Sequence, residues 1–404
     1  MKDKKKKLFI FGTDIFSNLK HIVSLISVAF LLYIFTFYID GEMGMILIAF
    51  MILSPAISVF FAAYARDRIK VSFDCDGYVK KGSQLEVRVT VEKSGYFPLG
   101  IVEIHPAASE VFRFDKKVFR LSLIHEDKRT FSFNVPAEVG GNGEIYLEAV
   151  YSCGFLGFIR FFLKDDLPSP ISVGVIPEIP QIKASSQLFR SIADVVLTSD
   201  DDEENDTAML FSANTVPGYE HREYVQGDPM KRVNWKLSSK KDKLMVRLDE
   251  AAASVQPVIV LDLYRNSKAV VSEAIYDEEQ MIRSVFGLLS LLVRQGIAST
   301  FVYYGAGGEI MSESVDNPEY PEQLLLKVLA VKVLPDKRID LKQLGTSVCA
   351  CVIASTDCGA ELAEIAKAVQ DDDNVSLIGA TAKSRNLTDM PMWYLDGDNN
   401  FKLV

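Results

Sequence analysis

Two long apolar runs near the amino terminus stand out in the pattern of hydrophobic and polar residues. No residue is charged from Ile22 to Ile39 or from Met43 to Ala65. Each run approaches or exceeds the roughly 20 residues that a helix needs to cross a bilayer. Only Asp40-Gly41-Glu42 separates the two runs. Because backbone polar groups must be paired inside lipid, the pattern predicts an antiparallel hairpin of two transmembrane helices within residues 1–70.

The charges that flank the two runs predict the orientation of this hairpin. The connecting turn is acidic, whereas basic residues lie before the first run and after the second: Lys2, Lys4, Lys5, Lys6, Lys7, Lys20, Arg66, Arg68 and Lys70. Basic flanks favour the cytoplasmic side, so both ends and the soluble domains are predicted to be cytoplasmic. A cleaved signal peptide fits less well, because a second apolar run follows and no small-residue cleavage site is present. The sequence therefore predicts a multi-pass protein of the cell membrane.

Beyond the hairpin, apolar and polar residues alternate as in half-buried strands. Leu85, Val87, Val89 and Val91 alternate with polar residues, and similar alternation recurs around residues 119–123, 131–135 and 145–149. Glycine-containing turns separate these runs, and no helical run lies between them. The pattern predicts a β-sandwich-like domain over residues 71–177.

Strand and helix patterns alternate in the last third of the chain. An apolar run ends at Asp262, and a helix with an apolar stripe follows, with Asp277 as its predicted cap and Gly296 as its end. Further strands are predicted at 299–304, 348–354 and 375–379, with helices from about Pro321 and Ala360. This alternation predicts an α/β domain over residues 251–404 with a mainly parallel sheet between helices.

Residues 178–250 form a predicted connector with two distinctive segments. The acidic run 200–206 predicts a solvated loop, since it lacks the alternation and the glycine of an EF-hand. In the segment 218–240, Asp228 is a predicted helix N-cap with Pro229 in the first turn, and Met230, Val233 and Leu237 share one helix face. Two interpretations stay open: a rigid connector held by ion pairs, or a docking or ligand surface built from Arg222, Asp228, Arg232 and Lys236.

Composition narrows the possible chemistry. The net charge of -10, without a basic stripe interleaved with aromatic residues, argues against nucleic acid as a partner. The five scattered cysteines form no CxxC pair and are interpreted as reduced, mostly buried thiols: Cys75, Cys153, Cys349, Cys351 and Cys358. No nucleophile elbow, Walker loop or HExxH motif occurs, so the chain is predicted not to be an enzyme. A hydrolase using the 218–240 segment, with His221 beside Arg222, is the alternative.

The 218–240 segment also carries a family resemblance. The pattern R-x-Y-x-x-G-D-x-x-x-x-V-x-W-K-x-S-S-K resembles the signature of the domain-of-unknown-function 58 family. The matching residues, with Arg232 just before the valine, are Arg222, Tyr224, Gly227, Asp228, Val233, Trp235, Lys236, Ser238, Ser239 and Lys240. The resemblance implies two N-terminal transmembrane helices, a β-rich region and a C-terminal von Willebrand factor A-like domain.

Such a C-terminal domain implies a metal-ion-dependent adhesion site, built from D-x-S-x-S after the first strand and a later T-D. In this chain Asp262, Tyr264 and Asn266 stand at the first motif, and Thr356-Asp357 at the second. A tyrosine ring would crowd the oxygen ligands of a hard cation, so we predict a degenerate site without metal and no cofactor. The alternative is a metal-dependent adhesion module that binds Mg²⁺ through Asp262 and Asp357.

The resemblance also implies a class of function. It suggests a membrane-anchored, non-enzymatic scaffold or adaptor in a bacterial cell. The implied protein partners are a MoxR-type AAA+ ATPase and a transglutaminase-like membrane protein, bound on the cytoplasmic face.

Overall fold

A computed structural model describes most of the 404 residues. The described residues are 15–39, 41–95, 99–123, 126–155, 160–163, 167–201, 215–224, 233–241, 243–251, 256–265, 270–331, 338–339, 350–367, 375–382 and 390–404. The chain divides into two compact units. The first comprises Met1–Glu178, Ser267–Arg283 and Gln323–Leu334, and the second comprises Ile179–Asn266, Ser284–Glu322 and Pro335–Val404.

An apolar helix pair begins the first unit. Helices α1 (Ile15–Tyr38) and α2 (Gly41–Arg66) pack side by side. They approach closely at Gly44, where a Cβ atom would lie 2.6 Å from the Cα of Thr36. Within the described residues, α2 is the helix long and apolar enough to cross a membrane, whereas the apolar part of α1, Ile26–Tyr38, is shorter.

Two β-sheets follow the helix pair in the first unit. The three-stranded antiparallel sheet contains β1 (Ile69–Cys75), β3 (Gln84–Lys93) and β6 (Lys128–Pro136). The six-stranded sheet contains β2 (Tyr78–Lys80), β4 (Leu99–Ala108), β5 (Phe119–Leu123), β7 (Gly141–Cys153), β8 (Arg160–Phe162) and β9 (Ile171–Ile176). The alternating valines of β3 and apolar residues of β4, β7 and β9 share one buried core. The predicted alternation thus gives a β-rich domain with two sheets around that core.

The second unit is built on a seven-stranded mixed sheet. Its strands, in spatial order, are β14 (Ile310–Val315), β13 (Ser299–Tyr304), β12 (Val258–Asp262), β15 (Cys351–Ser355), β16 (Val375–Ile378), β17 (Met392–Leu395) and β18 (Phe401–Leu403). The strands from β13 to β17 pair in parallel, and β14 and β18 pair antiparallel at the edges. Because all five residues of β12 and of β15 are buried, these two strands form the centre of the sheet.

The remaining elements connect or cover these sheets. They are α3 (Gln187–Asp201), β10 (Thr215–Glu223), α4 (Trp235–Lys241), β11 (Met245–Ala251), α5 (Val271–Arg294), α6 (Tyr320–Leu329) and α7 (Ala360–Lys367). On one face of the seven-stranded sheet, Phe286 of α5 contacts Phe301 of β13, with ring centroids 5.4 Å apart. Leu362 of α7 belongs to the apolar cluster on strands β12, β13, β15, β16 and β17.

The structure corrects two predicted helix starts and confirms one helix end. Helix α5 begins at Val271, so Asp277 is not its cap; the buried Ala274 and Ile275 extend the apolar stripe one turn earlier. Gly296 ends this helix as predicted, with a φ of 77° and with its N–H bonded to the carbonyl of Val293.

The second correction concerns helix α4. It begins at Trp235 rather than near Pro229, and Val233 forms a β-bridge with Val246 instead of a helical turn. The Asn234 side chain supplies the cap, since its Oδ1 accepts a hydrogen bond from the N–H of Leu237 at 3.1 Å. A side-chain acceptor directly before the helix therefore caps α4. Asp228 and Pro229 lie outside the described residues, so the predicted cap at Asp228 stays a prediction.

Candidate functional site

The signature segment folds onto a two-stranded ribbon. Strands β10 and β11 pair antiparallel, with Arg222 opposite Val246. The N–H of Tyr224 bonds to the carbonyl of Leu244 at 2.8 Å, and the N–H of Asn234 bonds to the carbonyl of Met245 at 2.9 Å. Tyr224 and the pair Val233-Asn234 are therefore both bonded to or paired with the strand β11 region, directly before α4.

Ser238 fixes helix α4 to the ribbon. Its Oγ donates to the carbonyl of Asn234 at 2.8 Å and accepts from the N–H of Met245, also at 2.8 Å. Ser238 is 8% exposed, so both hydrogen bonds are shielded from water. A serine at this position in the signature has a structural reason, because one small hydroxyl joins the helix start to the strand.

The other signature side chains of α4 face solvent. Trp235 is 61% exposed, and Lys236, Ser239 and Lys240 are exposed as well. Lys236 and Lys240 lie four residues apart and so share one side of the helix. We call Trp235, Lys236 and Lys240 the α4 surface. A large exposed aromatic side chain is a feature of protein-binding surfaces, where tryptophan is enriched among the residues that dominate affinity.

The structure places only part of the predicted docking set. Arg222 lies in β10 at a known register, but its side chain is outside the described atoms, as are residues Gly227, Asp228 and Arg232. The proximity of Arg222, Asp228, Arg232 and Lys236 to one another therefore stays a prediction.

A second candidate site lies where two central strands end. Asp262 is the last residue of β12 and Ser355 the last of β15, and the parallel register places them opposite each other. The Oγ of Ser355 donates to Oδ2 of Asp262 at 3.0 Å. Both residues are buried, with exposures of 2% for Asp262 and 0% for Ser355. This buried pair lies at the carboxyl ends of the two central strands, where the predicted adhesion-site residue Asp262 is located.

Arg338 supplies the positive charge of this site. Its Nη1 lies 3.9 Å from Oδ2 of Asp262, and its Nη2 lies 3.0 Å from Oδ2 of Asp357. Its Nη1 also donates to the backbone carbonyl of Asp357 at 3.1 Å. A third carboxylate is more distant: Oε2 of Glu361, whose side chain is 80% exposed, lies 3.7 Å from Nε of Arg338. We call Asp262, Tyr264, Arg338, Ser355 and Asp357 the strand-end cluster.

Tyr264 and Thr356, two residues of the predicted adhesion site, have contacts within the protein. The ring of Tyr264 lies under the Arg338 guanidinium, with its centroid 4.2 Å from the guanidinium carbon. The hydroxyl of Thr356 donates to the backbone carbonyl of Tyr264. Asn266 lies outside the described residues. The structure thus places Asp262, Thr356 and Asp357 close together, around an arginine that the sequence analysis missed.

Burial governs ionisation in this cluster. Burial raises the pKa of Asp262 above its ordinary value, while the hydrogen bond from Ser355 and the charge of Arg338 oppose that rise. Burial also raises the pKa of the Cys358 thiol to about 12. Asp262 is therefore a shielded carboxyl group, and the neighbouring Cys358 keeps its proton at neutral pH.

The donor set does not fit a divalent cation. A hard cation needs several oxygen ligands, whereas here a guanidinium lies between the two carboxylates and the Thr356 hydroxyl is engaged by a carbonyl. Within the described part of the chain, no group of three or more histidine, cysteine, aspartate or glutamate side chains is placed to hold a metal ion.

Sequence reasoning missed Arg338 and Ser355 for different reasons. Ser355 directly precedes Thr356-Asp357 at a strand end, so its position could have been inferred from the predicted register. Arg338 belongs to a charged stretch far from the motif in sequence, and only the fold brings it to the strand ends.

No protein-family profile and no curated protein matches the chain. Solved structures match part of it. Among solved structures, a CARDB domain from Pyrococcus furiosus is similar over 27% of this chain and 94% of its own, at 15% identity and a TM-score of 0.22. A cohesin module of a Clostridium perfringens family 33 glycoside hydrolase is similar over 28% of this chain and 98% of its own, at 14% identity and a TM-score of 0.23. Salmonella alpha-2-macroglobulin matches over 28% of this chain and 7% of its own, at 18% identity and a TM-score of 0.22.

Proposed function

We propose that the protein is a membrane-anchored, non-enzymatic scaffold of the domain-of-unknown-function 58 type that binds a protein partner through the α4 surface. The observation that carries this proposal is the exposed Trp235 on a helix whose orientation is fixed by Ser238. A rigid support lowers the entropy cost of binding, because the aromatic side chain is already positioned before the partner arrives. The family resemblance directs the proposal towards a MoxR-type AAA+ ATPase, with a transglutaminase-like membrane protein as a further member of the assembly.

The strand-end cluster supports the non-enzymatic, metal-free part of this proposal. Its buried carboxylate is already paired with Ser355 and Arg338, so the groups that would bind a cation or activate water are engaged within the protein. We propose that the mixed sheet of the second unit is a von Willebrand factor A-like domain in which an arginine replaces the metal ion. The metal-dependent adhesion module and the hydrolase gain no comparable support from the described residues.

The helix pair supports a membrane location. Helix α2 has the length and apolarity of a span. We propose that α1 crosses the membrane as well, and that the basic flanks keep both units in the cytoplasm, where an ATPase can reach them.

Co-purification tests the partner. The full-length protein would be captured from membranes in mild detergent with ATP present, as wild type, as Trp235→Ala and as Tyr276→Ala. Tyr276 is 49% exposed on helix α5, so its substitution is a matched control for the loss of an exposed aromatic ring. We expect an AAA+ ATPase with wild type and with Tyr276→Ala, and at least tenfold less with Trp235→Ala. Direct binding of the purified ATPase should show the same order.

Equal recovery from all three variants would remove the α4 surface from the proposal, and recovery of no ATPase would remove the partner.

A reporter fused after Val404 tests the orientation separately. Activity of a reporter that works only in the cytoplasm is the expected result. Activity of one that works only outside it would overturn both the topology and the partner.

A further inference from the structure

Helix α2 presents a face of small residues to the β-rich part of the first unit. Ser58, Ala62 and Ala65 are buried at helical spacing, with exposures of 4%, 1% and 0%. The Oγ of Ser152, near the end of β7, donates to the backbone carbonyl of Ala62 at 3.0 Å. A Cβ atom on Gly154 would overlap the Ser58 side chain and lie 3.0 Å from its carbonyl oxygen. The turn after β7 is therefore packed backbone-to-backbone against the last third of the helix.

Phe155 extends this contact along the apolar surface of α2. Its ring lies edge-on to Phe61, with centroids 5.8 Å apart. With Phe50, Leu53 and Ile57, which are 68%, 57% and 42% exposed, it lines an apolar groove of about 260 Å³. Phe155 itself remains 39% exposed. An exposed phenylalanine is thus continuous with the side chains that α2 would present to lipid.

Two side chains that mark the membrane interface indicate the depth of Phe155 in the bilayer. The guanidinium carbon of Arg68 lies 3.7 Å from the centroid of the Tyr64 ring, and such tyrosine and arginine side chains belong at the headgroup level. Ser58 precedes Tyr64 by six residues, or about 9 Å along the axis. Since the headgroup layer is roughly 6 Å thick on each side, Phe155 beside Ser58 and Ile57 lies at the level of the acyl chains.

The chemistry of the turn agrees with that depth. Residues 154–159 read Gly-Phe-Leu-Gly-Phe-Ile and contain no charge. Directly after them, the guanidinium of Arg160 is paired with Glu103, with its Nη1 3.0 Å from Oε1. Phe155 can therefore enter lipid while Arg160 stays bound to a carboxylate of the β-rich domain.

We propose that Phe155, two residues after the end of β7, is a second membrane contact and inserts among the acyl chains of the bilayer that α2 crosses. The insertion orients the β-rich domain against the membrane surface, because that domain is then held both by its covalent link to α2 and by Phe155. The proposal rests on the membrane crossing of α2, so the test must separate the two.

Spin labels in proteoliposomes provide that separation. The full-length protein would carry one introduced cysteine: Leu53→Cys on α2, Phe155→Cys on the turn, or Tyr78→Cys, which is 41% exposed in the β-rich domain. Cys75 and Cys349 would be replaced by serine. Cys153, Cys351 and Cys358 are buried and have raised thiol pKa values of about 11, 12 and 12, so they label slowly at neutral pH. The parent without an introduced cysteine measures the residual labelling.

The readout is the collision rate of each label with oxygen, which concentrates in lipid, relative to a water-soluble nickel chelate. In phosphatidylcholine–phosphatidylglycerol vesicles we expect positions 53 and 155 to share a ratio several times higher than position 78. A lipid-like ratio at 53 with a water-like ratio at 155 would overturn the membrane contact alone. Water-like ratios at both positions would overturn the crossing of α2, and the contact with it.

Discussion

The guanidinium carbon of Arg338 lies 4.2 Å from the centre of the Tyr264 ring. The negative face of an aromatic ring attracts a cation, so Tyr264 holds the arginine from one side while Asp262 and Asp357 hold it from the other. A tyrosine that would crowd a metal ion is thereby a suitable neighbour for a guanidinium. The planar arginine, with donors in a fixed fork, reaches two carboxylates in a way that a lysine could not.

Removing Arg338 should destabilise the second unit. Arg338→Gln leaves the buried Asp262 without its positive partner, and breaking a buried pair in this way costs about 3 kcal/mol of unfolding free energy. Urea unfolding of the full-length protein in detergent measures the loss. Arg190→Gln, an exposed position on α3, should change the value by less than about 0.5 kcal/mol.

A second substitution tests whether the loss comes from the uncompensated carboxylate. Adding Asp262→Asn to Arg338→Gln removes that charge, so the double variant should be more stable than Arg338→Gln alone. Simple additivity of the two single effects would show that Arg338 acts through packing and not through its charge.

The raised pKa of Asp262 predicts a pH dependence with a defined sign. Because burial lifts the folded-state pKa above the unfolded one, the contribution of Asp262 is most favourable at acidic pH and is lost as pH rises through the folded-state pKa. Wild type should therefore lose stability relative to Asp262→Asn as pH increases from about 4. Removing Arg338 should extend that loss to higher pH, because the folded-state pKa of Asp262 then rises further. A difference between the two proteins that does not change with pH would contradict the raised pKa.

The sequence predicted those parts of the fold that depend on local pattern. The alternation of Leu85, Val87, Val89 and Val91 corresponds to strand β3, and Gly296 ends α5 because its positive φ suits glycine. The placement of Val233 on a helix face was wrong, because Val233 pairs with Val246, a residue of another strand, and side-chain spacing alone does not predict such pairing.

Only the part of the candidate site that follows from the order of strands and helices along the chain could be predicted. Parallel strands bring Asp262 and Asp357 to one sheet edge, and this follows from the alternation of strands and helices. The partner of both carboxylates does not follow from it, because Arg338 is held there by contacts with residues that are distant in sequence. The main chain at Arg338 is held at the cluster by Tyr304, whose hydroxyl donates to the Arg338 carbonyl, and by the N–H of Ile339, which lies 3.4 Å from Oδ1 of Asp262.

A different buried carboxylate should make the first unit sensitive to acid. Glu103 is 2% exposed and contacts His105, Arg120 and Arg160 at 2.9, 3.0 and 3.0 Å. Burial alone would raise its pKa, but the hydrogen bond from His105 and the charges of Arg160 and Arg120 hold the pKa below its ordinary value of 4.5. The stabilisation from Glu103 is therefore present above that value and is lost as pH falls through the folded-state pKa.

Glu103→Gln tests this. The stability advantage of wild type over the variant should be full at neutral pH and should shrink below about pH 4.5. Thermal unfolding followed across this range measures it, with Glu86→Gln, an exposed position on β3, as the control. An advantage that grows on acidification would reverse the sign and refute the depressed pKa.

The contact between Gly154 and Ser58 should respond to changes in side-chain size. Gly154→Ala places a methyl group against the Ser58 side chain, and overpacking of this kind costs about 1–3 kcal/mol. Ser58→Gly should recover part of that loss, because it removes the overlapping hydroxymethyl group while the carbonyl at 3.0 Å remains. Thermal unfolding in detergent of the two single variants and the double variant gives the coupling energy. Gly77→Ala is the matched control, since a methyl group there meets no atom within 4 Å. If Gly154→Ala and Gly77→Ala shift the unfolding temperature equally, α2 and the turn after β7 are not in contact, and the inferred membrane position of Phe155 loses its geometric basis.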